Sequence, residues 1–264
     1  MNPLPFKGEI TGGKMITFKC SDGKDGSAFV IRHFPGTICK TSDSSIGGTG
    51  YSFEIATMIQ PENIVFMFHE WWGLNDYIKQ EAVRLSKKLG VSVVAIDLYD
   101  GKVAATREDA AQYMQGLKPE RASAIIGGAY EGFPPDSRIA TIGWCMGGGW
   151  AMQAAMNPAP LDSNDARIKG CVIYYGMPET DQTKLSRLHC PILGIFAKKD
   201  QWINPKVVSD FEAAMKKAKK KLTVHSYDAD HAFANPSNPG FDKKATEDAM
   251  KHTEIFLRKV FDLK

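Results

Sequence analysis

From Ile64 onward, short apolar runs alternate with longer amphipathic stretches. The apolar runs are IVFMFHE, VSVVAIDLY, RIATIGW, KGCVIYYG, PILGIFAK and LTVHSYD. Each run is too short for a helix and is continuously apolar, which is typical of strands buried on both faces of a sheet. Because amphipathic stretches separate the runs, the pattern predicts β-α units arranged around a mostly parallel sheet.

Three of the stretches between and after the runs have helical periodicity. Asn75 can cap the first helix and Gly90 can end it, whereas Asn204 and Pro205 form a cap and first position for the second. The predicted buried faces are Ile78, Ala82, Leu85 and Leu89 in the first helix, Val208, Phe211, Met215 and Ala218 in the second, and Ala245, Ala249, Phe256 and Val260 in the last. The sequence therefore predicts helices packed against the sheet.

The N-terminal region has a different pattern. The segments KMITFKC and SAFVIRHF are joined by the pairs Asp22-Gly23 and Asp25-Gly26, which are strong turn signals. We expect an antiparallel hairpin here, followed over residues 35–52 by a surface loop rich in Gly, Ser and Thr. No internal repeat is evident, and we expect residues 1–264 to form a single α/β domain.

Composition excludes several classes of protein. With 43% hydrophobic and 24% charged residues, the chain resembles an ordinary globular protein and not a disordered one. The net charge of +3 is too small to predict nucleic-acid binding, and we interpret the lysines between Lys216 and Lys221 as a solvated helix end. The sequence has no apolar run of spanning length and no signal-peptide pattern. We therefore expect a cytoplasmic protein without a membrane partner, and we leave the oligomeric state open.

The cysteines argue against a disulfide scaffold and against a metal centre. Their number is odd, and they form no C-x-x-C pair and no metal-ligand spacing with histidine. They are Cys20, Cys39, Cys145, Cys171 and Cys190. One of them, Cys145, lies in a segment with specific chemistry.

Cys145 lies in GWCMGG, where the predicted strand RIATIGW passes into a predicted helix. This arrangement is typical of a nucleophile elbow, in which glycines on either side prevent collisions around a sharp turn. The N-terminus of the helix can lower a thiol pKa, and the N–H of Met146 can stabilise an oxyanion. The alternative is a buried structural cysteine in a glycine-rich turn.

An acid and a histidine follow the cysteine in the order expected for an α/β-hydrolase. Asp200 closes the run PILGIFAKKD, and His231 follows the last run, LTVHSYDAD. Alone, each could be an ordinary turn residue or a solvated loop residue. Because the carboxyl ends of parallel strands share one edge of a sheet, their order predicts that Cys145, His231 and Asp200 meet there.

Three other carboxylates compete for the role of the acid. Asp228 and Asp230 flank His231, but neighbours on an extended loop point apart, so we interpret them as turn residues. Asp97 follows a strand too early in the chain order. A structural or substrate-side role for Asp97 stays open.

The elbow, together with HEWWGLND, DLYDG, KKDQW and YDADHAF, resembles the dienelactone hydrolase family from about Ile64 to the C-terminus. The resemblance implies an α/β-hydrolase fold and a triad of Cys145, His231 and Asp200. It also implies that Glu70, in HEWWG, interacts with the resting thiol and helps to control formation of the thiolate.

The same resemblance implies an oxyanion hole formed by the backbone N–H groups of Trp71 and Met146. The family's substrate-binding arginines are absent, because their positions read Asp100-Gly101-Lys102 and Ala234-Asn235. Lys102 can replace an arginine only as a point charge, because lysine cannot bind a carboxylate through two parallel hydrogen bonds.

The residues expected around the triad favour an apolar acyl or aromatic group over a small diacid lactone. Tryptophan supplies a large apolar surface, and four tryptophans fall near the expected site, namely Trp71, Trp72, Trp144 and Trp202. The candidate pocket residues are Trp72, Lys102, Trp202 and Asn235.

The resulting hypothesis is a hydrolase of small-molecule esters or lactones that forms an acyl-enzyme and requires no cofactor. Two other interpretations stay open. A hydrolase-fold protein can bind ligands without catalysis, since fold does not dictate function. A thiol-redox protein could use Cys145 as a peroxide-sensitive group.

Overall fold

A computed structural model describes residues 10, 12–33, 62–157 and 167–264. The strands are β1 (Lys14–Lys19), β2 (Asp25–Ile31), β3 (Asn63–Phe68), β4 (Ser92–Asp97), β5 (Arg138–Trp144), β6 (Ile168–Tyr174), β7 (Ile192–Ala197) and β8 (Leu222–Tyr227). The helices are α1 (Asp76–Leu89), α2 (Arg107–Gly116), α3 (Pro119–Glu131), α4 (Met146–Met156), α5 (Gln182–Ser186), α6 (Pro205–Lys217) and α7 (Lys243–Phe261). The predicted loop over residues 35–52 lies outside the described residues.

The described strands form one sheet in the order β1-β2-β4-β3-β5-β6-β7-β8. Strand β2 pairs antiparallel with both β1 and β4, and every pairing from β4 through β8 is parallel. The prediction of a mostly parallel sheet with an N-terminal antiparallel hairpin is therefore confirmed. The hairpin extends the sheet by pairing with β4.

Side chains alternate across the parallel strands and so build two apolar layers. In β6, Cys171 and Ile173 belong to one layer, and Val172 and Tyr174 belong to the other. Helices α3, α4 and α6 cover the first layer, whereas α1 and α7 cover the second. The sheet is thus sandwiched between helices, as expected for parallel β-α units. Among the described helices, none is long and apolar enough to cross a membrane.

Strand β8 corrects one prediction. Its residues are exposed or half-buried, whereas β3 to β7 are almost wholly buried. The prediction that LTVHSYD is buried on both faces is therefore wrong. In the described sheet β8 is one of the two edge strands and pairs with β7 alone, so its polar residues can face solvent.

The helix ends agree with the sequence. The Asn75 side chain accepts a hydrogen bond from the backbone N–H of Ile78, and Gly90 ends α1 in the left-handed conformation. Asn204 caps α6 in the same way. The loops that follow β3 and β7 therefore end at helix starts with side-chain caps.

The prediction for the buried face of α7 is only half confirmed. Ala245 and Ala249 are buried as predicted, but the face continues through Thr253, Leu257 and Phe261, while Phe256 and Val260 are half-buried. The predicted face does not include Thr253, because its side chain is polar. It can be buried because its hydroxyl bonds to the Tyr174 hydroxyl at 2.7 Å and to the Ala249 carbonyl at 3.0 Å.

The turn from β5 into α4 depends on very close backbone packing. Cys145 has φ +54° and ψ −121°, a conformation that a residue with a side chain rarely adopts. A Cβ added at Gly147 would lie 2.3 Å from the Phe68 carbonyl oxygen and 2.4 Å from that of His69. A glycine is therefore required at this position of the turn.

We expect Gly147→Ala to lower the free energy of unfolding by roughly 1–3 kcal/mol, because backbone oxygens have little room to move away from an added methyl group. Gly149→Ala, in the same helix, is the matched control, since its Cβ would meet nothing closer than the Met177 oxygen at 3.4 Å. Alanine there should be neutral or stabilising by up to about 1 kcal/mol. Urea denaturation tests this, and equal midpoints for the two variants would contradict it.

Candidate active site

Three side chains predicted from distant segments meet at the carboxyl edge of the sheet. Cys145 follows β5, Asp200 follows β7 and His231 follows β8. The Nε2 atom of His231 lies 3.2 Å from the Cys145 sulfur, and its Nδ1 lies 2.5 Å from the Asp200 Oδ2. The structure therefore brings the thiol, the imidazole and the carboxylate into one continuous hydrogen-bonded chain.

The Asp200 carboxylate is fixed by its own loop. It is 2% exposed, and its second oxygen accepts hydrogen bonds from the backbone N–H groups of Trp202 at 2.8 Å and Ile203 at 3.0 Å. The Asn238 amide holds the loop of His231 by donating to the carbonyl oxygens of His231 and Ala232. The acid and the imidazole are thus oriented before any ligand binds.

The electrostatics of the chain favour a protonated imidazole. Burial lowers the pKa of His231, but hydrogen bonds and charge interactions with Asp200 and Cys145 outweigh it and raise that pKa to about 10. For Asp200, burial raises the pKa, but the interactions with His231 outweigh it and leave that pKa below its ordinary value. An imidazolium held between the carboxylate and the sulfur can therefore form at neutral pH.

Glu70 lies behind the triad. Its carboxylate is 3% exposed, and its Oε2 accepts a hydrogen bond of 2.5 Å from the Asn235 amide. Its Oε1 and the Tyr175 hydroxyl are both buried without a hydrogen-bond partner among the described residues. No hydrogen bond within the described chain joins Glu70 to Cys145, whose sulfur faces His231 instead. Burial raises the pKa of Glu70 to about 7, opposed in part by the hydrogen bond from Asn235 and by the charge of His231.

The turn that carries Glu70 and Trp71 is shaped by His69, which sequence reasoning missed. The Leu98 backbone N–H donates to Nε2 of His69 at 3.1 Å, so Nδ1 carries the proton and donates to the Glu70 carbonyl at 2.6 Å. Within the described residues, no acceptor is found for the backbone N–H groups of Trp71 and Met146. Both are therefore available to a ligand.

The four candidate pocket residues lie in different surroundings. Trp202 is 67% exposed and its ring lies edge-on to the His231 imidazole, with centroids 5.2 Å apart. Trp72 is buried against Ala104 and Ala110. The Lys102 ammonium lies 5.6 Å from the centre of the Tyr113 ring, and Asn235 is buried against Glu70.

The carboxylates that compete with Asp200 for the role of the acid have other partners. Asp97 is buried and accepts hydrogen bonds from the Ser27 hydroxyl and from two backbone N–H groups, which supports the structural role left open for it. Exposed Asp228 forms an ion pair with Lys199 at 3.2 Å. Trp144, one of the four tryptophans expected near the site, is instead buried in the core, where it packs on Tyr174.

Two tyrosines lie at the site although the sequence does not predict them there. Tyr175 has φ +35°, and its ring lies 5.1 Å from the His231 ring. The Tyr99 hydroxyl contacts the Met146 sulfur at 3.2 Å. The signal available for both was their position at the ends of apolar runs, where side chains reach the catalytic edge of a parallel sheet.

A mostly parallel sheet with an elbow after β5, an acid after β7 and a histidine after β8 defines the α/β-hydrolase class. The sequence pattern of the Dienelactone hydrolase family matches residues 50–261, and the chain belongs to that family. It is therefore a hydrolase of carboxylic esters or lactones. The predicted family, fold and class of enzyme are confirmed.

Individual relatives agree with this assignment. A protein of Saccharolobus solfataricus, provisionally named a carboxymethylenebutenolidase, is 28% identical over 248 residues, covering 78% of this chain and 93% of that protein. Carboxymethylenebutenolidase 1 of Cupriavidus pinatubonensis is 27% identical over 214 residues, covering 75% and 87%. The crystal structure of P91, a dienelactone hydrolase-like promiscuous phosphotriesterase from metagenomic libraries, has a TM-score of 0.71 at 17% identity and covers 94% of this chain and 99% of its own, which supports the fold.

We expect Glu70→Gln to change how stability depends on pH. Burial raises the pKa of Glu70 to about 7. Below the ordinary carboxyl pKa, Glu70 is protonated in the folded and unfolded states, so its burial as an acid costs the wild type no stability. As the pH rises towards 7, the wild type loses stability, because only the unfolded state ionises freely. Relative to the wild type, the free energy of unfolding of the variant should be higher by up to about 3 kcal/mol at alkaline pH and unchanged at acidic pH. Urea denaturation at several pH values measures this difference. The control is Glu212→Gln on the exposed face of α6, and a parallel shift in both variants would refute the expectation.

Proposed function

We propose that this protein hydrolyses carboxylic esters or lactones with Cys145 as nucleophile, His231 as general base and acid, and Asp200 as the carboxylate that orients the imidazole. The observation that carries the proposal is the unbroken chain of hydrogen bonds from Asp200 through His231 to the Cys145 sulfur. The substrate is a small-molecule ester or lactone, and the mechanism needs no cofactor.

In the first half of the reaction, the thiol proton moves from sulfur to Nε2 of His231 and the thiolate attacks the carbonyl carbon. The carbonyl oxygen becomes an oxyanion, which the N–H groups of Trp71 and Met146 bind. When the intermediate collapses, His231 donates its proton to the departing oxygen and the acyl group remains on Cys145 as a thioester.

In the second half, water attacks the thioester and gives its proton to His231. The carbon–sulfur bond then breaks, the carboxylic acid is released and the proton returns to sulfur. Cys145 lies at the N-cap of α4, so the positive end of the helix dipole lies next to the reacting sulfur.

Glu70 has a supporting role in this proposal. In the present geometry it is held by Asn235, and the sulfur faces His231. For Glu70 to act on the resting thiol, as the family resemblance implies, the Cys145 side chain must rotate away from His231. A buried acid with a pKa of about 7 is suited to exchange a proton near neutral pH.

The surroundings of the other cysteines favour hydrolysis over thiol-redox chemistry. Cys20, Cys171 and Cys190 are buried in the apolar layer under α3, α4 and α6, whereas Cys145 packs against the opposite layer. Burial raises the pKa of Cys171, and it raises that of Cys190 to about 12. Among the described cysteines, none is placed to resolve an oxidised Cys145.

We expect Cys145→Ala to reduce turnover of p-nitrophenyl acetate by roughly 10³-fold or more, because the nucleophile is lost. Circular dichroism and the thermal midpoint should stay close to those of the wild type. Cys190→Ala is the control and should retain turnover. Mass spectrometry of the wild type after rapid quenching should find acetyl on the peptide that contains Cys145, and undiminished turnover by Cys145→Ala would exclude the mechanism.

The alkaline limb of the pH profile depends on the protonation of His231. Because the active pair needs a protonated His231, wild-type kcat/KM should fall only as the pH approaches the raised pKa of about 10. Asp200→Asn removes the carboxylate that raises this pKa, so the alkaline limb should move to lower pH. The maximum value of kcat/KM should also fall roughly 10²-fold. Asp228→Asn, which alters the acid paired with Lys199, should keep the wild-type profile. The assignment fails if Asp228→Asn moves the limb and Asp200→Asn does not.

A further inference from the structure

Exposed apolar side chains are concentrated at the catalytic edge. In the described part of the chain, the exposed large hydrophobic residues are Met15, Val103, Met114, Met177, Trp202, Phe241 and Ile255. Four of these lie in loops that follow the carboxyl ends of β4, β6, β7 and β8. Single exposed apolar residues are ordinary, but a concentration around a reactive centre indicates a ligand surface.

Trp202 is held rigidly beside the imidazole. Its backbone N–H donates to the Asp200 carboxylate at 2.8 Å, and its ring is edge-on to His231 with an interplanar angle of 80°. Two-thirds of the side chain is nevertheless exposed, at 67%. The same carboxylate therefore bonds both to the imidazole and to the backbone of the residue whose ring lies next to it.

Met177 lies on the neighbouring loop, after β6, and is 57% exposed. It directly follows Gly176, which packs against the elbow so closely that an added Cβ would lie 2.6 Å from the Gly148 Cα and 2.8 Å from the Cys145 oxygen. This contact fixes the start of the loop against the nucleophile. A methionine there offers a flexible apolar surface that adapts to a ligand.

We propose that Trp202 and Met177 form an apolar shelf that binds the alcohol portion of the substrate, so that the preferred substrates are esters of bulky aromatic or apolar alcohols. This inference rests on the proposed function. His231 protonates the departing oxygen, so the alcohol must lie against the imidazole at that step. Trp202 is exposed and its ring lies edge-on to that imidazole, whereas the oxyanion donors Trp71 and Met146 come from the loop after β3 and from the start of α4.

The experiment compares 2-phenylethyl acetate with ethyl acetate, followed by acid release. The two substrates share an acyl group and differ chiefly in the apolar part of the alcohol. For Trp202→Ala, kcat/KM for 2-phenylethyl acetate should fall roughly tenfold, because one aromatic contact and its buried area are lost. The fall for ethyl acetate should be clearly smaller, since a small alcohol leaves the shelf uncovered, so the ratio of kcat/KM for the two esters is the quantity that tests the shelf.

Companion variants separate the shelf from a general disturbance of the site. Trp202→Phe should recover most of the lost discrimination, and Met177→Ser should lose part of it. Ile255→Ala is the control, because Ile255 is 65% exposed on α7, outside the strand-end loops, and it should leave the ratio of the two rates unchanged.

Two results would overturn the inference while leaving the proposed function standing. One is an unchanged ratio in Trp202→Ala, and the other is a loss that follows the length of the acyl chain in ethyl acetate, butyrate and hexanoate. If the wild type turned over neither ester and carried no acyl group on Cys145, the proposed function would fall and the shelf with it.

Discussion

The arrangement of the site depends on backbone packed against backbone at the start of α4. Cys145 holds a positive φ because the residues around it allow no other path: a Cβ at Gly143 would lie 2.0 Å from the Gly147 oxygen, and one at Gly148 would lie 2.9 Å from the Gly176 Cα. Such a conformation costs of order 1–3 kcal/mol and persists only where the surroundings enforce it. Its result is that the thiol lies at the sheet edge beside the Met146 N–H, which has no acceptor among the described residues.

The sequence could predict this centre because its parts follow local rules. The glycines of the elbow are readable as a motif, and parallel strands bring Cys145, Asp200 and His231 to one edge even though they lie far apart in the chain. The pairing of Glu70 with Asn235 could not be predicted, because it joins side chains 165 positions apart whose rotamers depend on packing. The role of Thr253 in the buried face of α7 was hidden for a related reason, since its partner, Tyr174, lies on a distant strand.

The contact between Glu70 and Asn235 also bears on the chemistry of the substrate. A guanidinium beside a buried carboxylate would hold its pKa low, but an amide supplies only a dipole, and burial raises the pKa of Glu70 to about 7. An amide is likewise unable to neutralise an anionic substrate. The contact thus supports an uncharged ester as the substrate in the proposed mechanism, as does the exposed apolar surface of Trp202.

A surface next to His231 has to serve two steps in the proposed mechanism. During acylation the alcohol lies there and receives the proton, and during deacylation water must reach the same nitrogen. A closed apolar pocket would keep water out after the alcohol departed, whereas a shelf that is open on one side admits it. Trp202 meets both needs, because its backbone N–H donates to the Asp200 carboxylate while the residue stays 67% exposed. Departure of the alcohol itself then opens the path by which water reaches the thioester.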